Sequence, residues 1–96
     1  MELSVSDLVE SIAGHDRGEL FYVIGTEGVY ALLANGKNRP IEHPKRKKRK
    51  HLRRVPQMES EVARMIRSGD KVLNAQLRRA LAQARQTFTS QNQGGI

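Results

Sequence analysis

Two apolar stretches, Leu20 to Gly25 (LFYVIG) and Val29 to Ala34 (VYALLA), most constrain the fold of this 96-residue chain. Both are rich in β-branched and aromatic residues and are bounded by turn-forming sequences, which reads as strands. Neither alternates apolar with polar: Leu20, Tyr22 and Ile24 interleave with Phe21 and Val23, and Val29, Ala31 and Leu33 with Tyr30 and Leu32. A sheet with one solvated face shows a clean alternation, so these strands must be covered on both sides. Leu8 to Ala13 reads as a strand before them, closed by the glycine-flanked turn Gly14-His15-Asp16-Arg17-Gly18. Thr26-Glu27-Gly28 forms the next turn. Asn35-Gly36 is the strongest hairpin signal, expected as a type I′ turn into a short fourth strand over Arg39 to Glu42, where Pro40 demands an edge or a bulge. A fifth strand around Lys48 to Leu52, with Leu52 pointing inward, would let the meander curl into a small barrel.

The second half supplies the cover. Met58, Val62, Met65 and Ile66 recur at helical spacing, with Gly69 as the stop. Asn74 is expected to cap a second helix with an apolar stripe of Leu77, Ala80, Leu81, Ala84 and Phe88. The polar, Gly-containing end reads as a disordered tail. The organisation is thus a barrel over residues 1–55, including a basic strand 45–54, a helical hairpin over 56–88, and a tail over 89–96. The fold class is mainly β with an α-helical appendage.

Charge is the second signal. Eight of the ten residues from Lys45 to Arg54 (KRKKRKHLRR) are Lys or Arg, while the whole chain carries only +7, so the remaining 86 residues sum to −1. Residues 1–44 hold seven acids and three bases. Residues 71–96 hold Lys71, Arg78, Arg79 and Arg85 without an acid. A dense cationic strip on a near-neutral body points to a polyanion, and nucleic acid is the foremost class. A solvated charge block is the plainer alternative, and a nuclear import signal or an anionic membrane surface are others. The arginines of the last helix fit either a solvated face or an extension of the strip.

Other classes find little support. There is no cysteine, hence no disulfide, thiolate site or Cys nucleophile. His15, His43 and His51 lack carboxylate partners at ligand spacing, and His15-Asp16 lacks a third group to orient a base. No enzyme, metal or cofactor is expected. No apolar run approaches the ~20 residues of a membrane helix, and MELSVSDLVE does not read as a signal peptide, so a cytoplasmic, monomeric protein is expected.

The order of elements, with Ser11-Ile12-Ala13-Gly14-His15-Asp16-Arg17-Gly18, then Ala34-Asn35-Gly36, then Pro44 to Lys50 with His51 and Leu52, resembles the KOW-motif RNA-binding proteins. The small stand-alone bacterial members related to large-subunit ribosomal proteins are the most similar. The likeness covers about residues 5 to 53. Ser6 or Asp7 stands where the family often has Gly. His15 and Arg17 stand where it has Arg and Lys. The resemblance implies an SH3-like barrel of five strands that binds structured RNA, with large-subunit ribosomal RNA and the ribosome as partners. It places RNA contact at Gly14, His15, Arg17, Gly18, Lys45, Arg46, Lys47, Lys48, Arg49, Lys50, His51, Arg53 and Arg54. Neutralising Lys47 to Lys50 is then expected to weaken binding and leave the fold intact. KOW barrels also occur in elongation factors, so a DNA-binding or transcription-linked adaptor is the alternative.

Overall fold

The chain is described by a computed structural model covering residues 2–94, with side chains through Thr87. Five strands, β1 (Leu8–Ser11), β2 (Leu20–Glu27), β3 (Tyr30–Ala34), β4 (Lys45–Lys48) and β5 (Leu52–Arg54), form one antiparallel sheet in the order β4-β3-β2-β1-β5. A 3-10 turn, Arg49–His51, joins the two edge strands. Two helices follow, α1 (Glu61–Ser68) and α2 (Asn74–Gly94). The expected class, a five-stranded β part followed by two helices, is what forms. The expected closed barrel is not seen, because among the described residues β4 and β5 share no ladder and both remain edges.

The doubly apolar strands are covered on both faces, as their pattern requires. On one face Val9, Phe21, Val23, Ala31 and Leu33 pack with Leu3 and Leu52. On the other, Leu8, Leu20, Tyr22 and Ala34 pack with Val55, Val62, Ala63, Val72, Leu77 and Leu81, so the helices cover the second face. Leu52 points inward, 2% exposed. The direction of each side chain follows from the two-residue period of a strand. A register shift between Val23 and Gly25 marks a bulge in β2.

Several boundaries differ from the sequence expectation. β2 runs through Glu27, and its hairpin turn is Gly28-Val29, with Gly28 at φ 58° in the first central position, as a type II′ turn uses. Val29 therefore sits at a turn tip, 64% exposed, and not in a strand. Asn35-Gly36 does not form a two-residue hairpin, and Arg39 to Glu42 is not a strand. The Asn35 side chain accepts from Lys37 N and Arg39 N at 3.0 Å each, taking the amides that a ladder would use, while Pro40 has none to offer. The fourth and fifth strands are both drawn from the basic run instead. Lys48 to Leu52, expected as one strand, contains the 3-10 turn between them.

The loop 35–39 is pinned to α2. Gly36, at φ 76°, lies so close to the helix that a Cβ would meet Asn74 O at 2.4 Å. Asn74 is not the cap but the first helical residue; its Oδ1 accepts from Ile41 N at 2.8 Å and its Nδ2 donates to Glu42 at 2.9 Å. The end is closed from Gln76, whose side chain accepts from Leu73 N at 2.8 Å, half of a capping box. In α1, Ser60 accepts from Ala63 N at 3.0 Å, and Gly69 terminates the helix in the left-handed conformation as expected. Met58 lies before α1 and is exposed, because the helix starts only after the Ser60 cap. Leu77 and Leu81 are buried as the stripe requires; the Phe88 side chain lies outside the described residues. α2 continues through residues expected to be a tail, as far as Gly94, since nothing from 89 to 93 is a helix breaker. Residues 95 and 96 lie outside the described residues. None of the described helices is long and apolar enough to cross a membrane.

Candidate nucleic-acid interface

The two edges of the sheet carry the basic run, and alternation sorts its side chains. In β4, Lys47 pairs with Ala31 and Lys45 with Leu33, so both lysines share the face of the Phe21 cluster. They reach the loop between β1 and β2. Lys47 Nζ donates to Asp16 Oδ1 at 2.9 Å and to Ala13 O at 2.8 Å. Lys45 Nζ lies 2.6 Å from Asp16 Oδ2, an ion contact without hydrogen-bond alignment. Ser11 Oγ donates to Asp16 Oδ1 at 2.6 Å. Lys47 and Asp16 are buried, with side chains 9% exposed. Burial pushes the Asp16 carboxyl up, but Lys45, Ser11 and Lys47 outweigh it and hold the group well below the usual carboxylate range.

This corrects the reading of the strip as uniformly available. Lys47 is a core ion-pair partner, not a phosphate contact. Lys45 is half-committed to the same carboxylate. The remaining cations divide again. Arg46 lies 3.7 Å over the Tyr30 ring and donates to Glu27 at 3.1 Å. Arg49 donates to Gly28 O at 2.9 Å and Leu3 O at 3.3 Å. Arg53 pairs with Glu10 across β1 and β5. Lys48, Lys50 and Arg54 are exposed and, among the described residues, have no polar partner. Three carboxylates (Asp16, Glu27, Glu10) thus stand against eight cations, an excess of five.

The Gly14–Gly18 loop packs against the strip. Asp16 and Ala13 bind β4 residues 29 to 34 positions away, so the two motifs form one continuous region. Arg17 and His15 are exposed on that loop. Gly14 and Gly18 hold φ of 87° and 91°, where a side chain would be strained, so their first duty is the turn. His51 is half-buried in the 3-10 turn. Sequence reasoning missed Asp16 and Ser11; the one available signal was an acid standing between two glycines of an otherwise cationic loop.

The α2 arginines belong to the opposite layer. α2 packs on the Tyr22 face of the sheet, away from the Asp16 cluster; Arg78 donates to Gly36 O at 2.6 Å, and Arg79 and Arg85 are exposed. Among the described residues no group of three or more His, Asp and Glu is placed to hold a metal ion. In comparison with known proteins, no family model matches the chain and no curated protein matches it.

Proposed function

We propose that this chain is a non-enzymatic binder of structured RNA, acting through the exposed cations of the β4–β5 strip and the adjoining loop. The observation that carries the reading is the excess of charge that survives folding. Asp16 holds both inner lysines, Glu27 and Glu10 pair with Arg46 and Arg53, and Lys48, Lys50 and Arg54 are left without a polar partner among the described residues, with Arg17 exposed on the adjoining loop. Such groups gain most from phosphates, whose condensed counterions they displace. Lys48, Lys50 and Arg54 are mounted on strands and a 3-10 turn whose backbone spaces them at set intervals, which favours folded RNA over a flexible strand.

The resemblance to KOW proteins supports ribosomal RNA, on a ribosome, as the target class. One feature agrees with it: of Ser6 and Asp7, one of which stands where that family often has glycine, Ser6 adopts φ 81°, a conformation glycine favours. The test is binding of a folded large-subunit rRNA fragment across a salt series. Replacing Lys48, Lys50 and Arg54 with Gln is expected to lower the slope of log affinity against log salt by about 2–3, at roughly 0.7–0.9 per lost contact. An unchanged slope refutes the assignment. Duplex DNA competing as well as the rRNA fragment would favour the transcription-linked adaptor instead.

A further inference from the structure

We propose that the groove between the Gly28-Val29 turn and the Arg49–His51 turn takes a single unstacked nucleotide, the base on its apolar floor and the phosphates at Lys48 and Lys50. The inference rests on the RNA-binding reading and adds the form of RNA recognised. The groove encloses about 880 Å3, within the range of about 300–1,000 Å3 that small-molecule sites occupy. Its lining includes Ile12, Val29 and Leu52, with Lys48, Arg49, Lys50 and Arg53 as cations and Glu2 as a lone carboxylate. Ile12 and Val29 are two of only four large apolar side chains well exposed among the described residues, 43% and 64%. Their meeting in one groove beside two ammoniums that have no partner among the described residues is the unexplained feature of this surface.

The walls are held in place. Arg49 N donates to Val29 O at 2.8 Å and Ile12 N to His51 O at 2.9 Å, while the Arg49 guanidinium bridges Gly28 O and Leu3 O. A groove built this way needs little ordering on binding. Duplex phosphates alone would satisfy the lysines and leave Ile12 and Val29 in water. An uncharged apolar segment would cover the floor and leave the lysines unpaired. A nucleotide pulled out of a stack satisfies both, since it offers a flat apolar face tethered to an anion, as bulges and loops of folded RNA do.

The probes are two RNA hairpins, one fully paired and one carrying a single bulged 2-aminopurine. The wild-type chain is expected to bind the bulged hairpin at least about fivefold more tightly, with a change in 2-aminopurine emission. The Ile12→Ser/Val29→Ser variant is expected to lose that preference while keeping its affinity for the paired hairpin and its salt slope, because no cation is altered. Val29→Ser alone, at a turn tip, should show part of the same loss with an unchanged melting temperature. Equal binding of the two hairpins by the wild type, or a preference kept by the double variant, overturns the inference and spares the RNA-binding reading. Binding of neither hairpin removes both. A labelled acidic Glu-Leu peptide that displaces the bulged hairpin from the groove at lower concentration than unlabelled hairpin does also overturns it.

Discussion

Replacing Lys47 with Met should unfold this protein more readily, although the site lies in the middle of a strip whose composition advertises solvent exposure. Lys47 and Asp16 are buried together, and Lys47 also supplies the donor for Ala13 O. Removing one partner of a buried pair costs about 3–5 kcal/mol when nothing replaces it. Here Lys45 and Ser11 remain within 2.6 Å of the carboxylate, which places the electrostatic loss below that range. The Ala13 carbonyl loses its ammonium donor and keeps only the Ser11 hydroxyl at 3.0 Å, which adds about 1 kcal/mol, partly offset by the packing of Met. The net expectation is about 2–4 kcal/mol. In a 96-residue domain that corresponds to a fall in melting temperature on the order of 10–20 °C. The assay is thermal unfolding by circular dichroism of Lys47→Met, Asp16→Leu, the double variant and Lys48→Met. Asp16→Leu leaves the Lys47 ammonium buried against one carbonyl and should also destabilise. The double variant should be more stable than the sum of the two losses implies, by about 1–3 kcal/mol of coupling. Lys48→Met should melt like the wild type. A Lys47→Met variant that also does so, or strictly additive losses, would refute the assignment of Lys47 to the core, and the expectation that residues 47 to 50 can be neutralised without harm to the fold would stand.

Three further outcomes test other parts of the structure. Because folding depresses the Asp16 carboxyl, its contribution is complete above the ordinary value of 3.8 and is lost as pH falls below it toward the folded value; acid titration of stability should therefore be flatter for Asp16→Asn than for the wild type below about pH 4, and parallel curves would contradict the pairing. Gly36→Ala should cost at least about 2 kcal/mol, since the residue would be strained at φ 76° and its Cβ would press on the Asn74 carbonyl; a neutral effect in urea unfolding would show that the 35–39 loop does not dock on α2. Ser60→Ala should lose about 1 kcal/mol by uncapping α1, read in the same assay, and no change there would remove the capping role.

The Lys45 to Arg54 run shows why the site was only half legible. Its charge density stands in the composition. What the composition could not say is that alternation turns Lys45 and Lys47 inward while a 3-10 turn breaks the run in two. Asp16 is 29 residues from Lys45 in sequence and 2.6 Å from it in space. The Asn35-Gly36 pair misled for a related reason. Its local turn preference was real, but an Asn side chain that captures its own loop amides, followed by Pro40, defeats a hairpin that dipeptide statistics favour. The groove of Ile12 and Val29 was invisible in the sequence, because it exists only where the end of β1 and the Gly28-Val29 turn are both brought against the Arg49–His51 turn.

By itself, then, the sequence determined the elements whose signals are local and strong. The doubly apolar strands demanded two covered faces, the helical stripes named Leu77 and Leu81 as part of the cover, Leu52 pointed inward, and Gly69 ended a helix. Each follows from a period or from a backbone conformation that one residue type tolerates. The tertiary structure alone decided which cations face water, which carboxylates answer them, and whether the sheet closes. Those outcomes depend on distances between segments far apart in the chain, where electrostatic and packing energies act through space and leave no local mark on the sequence.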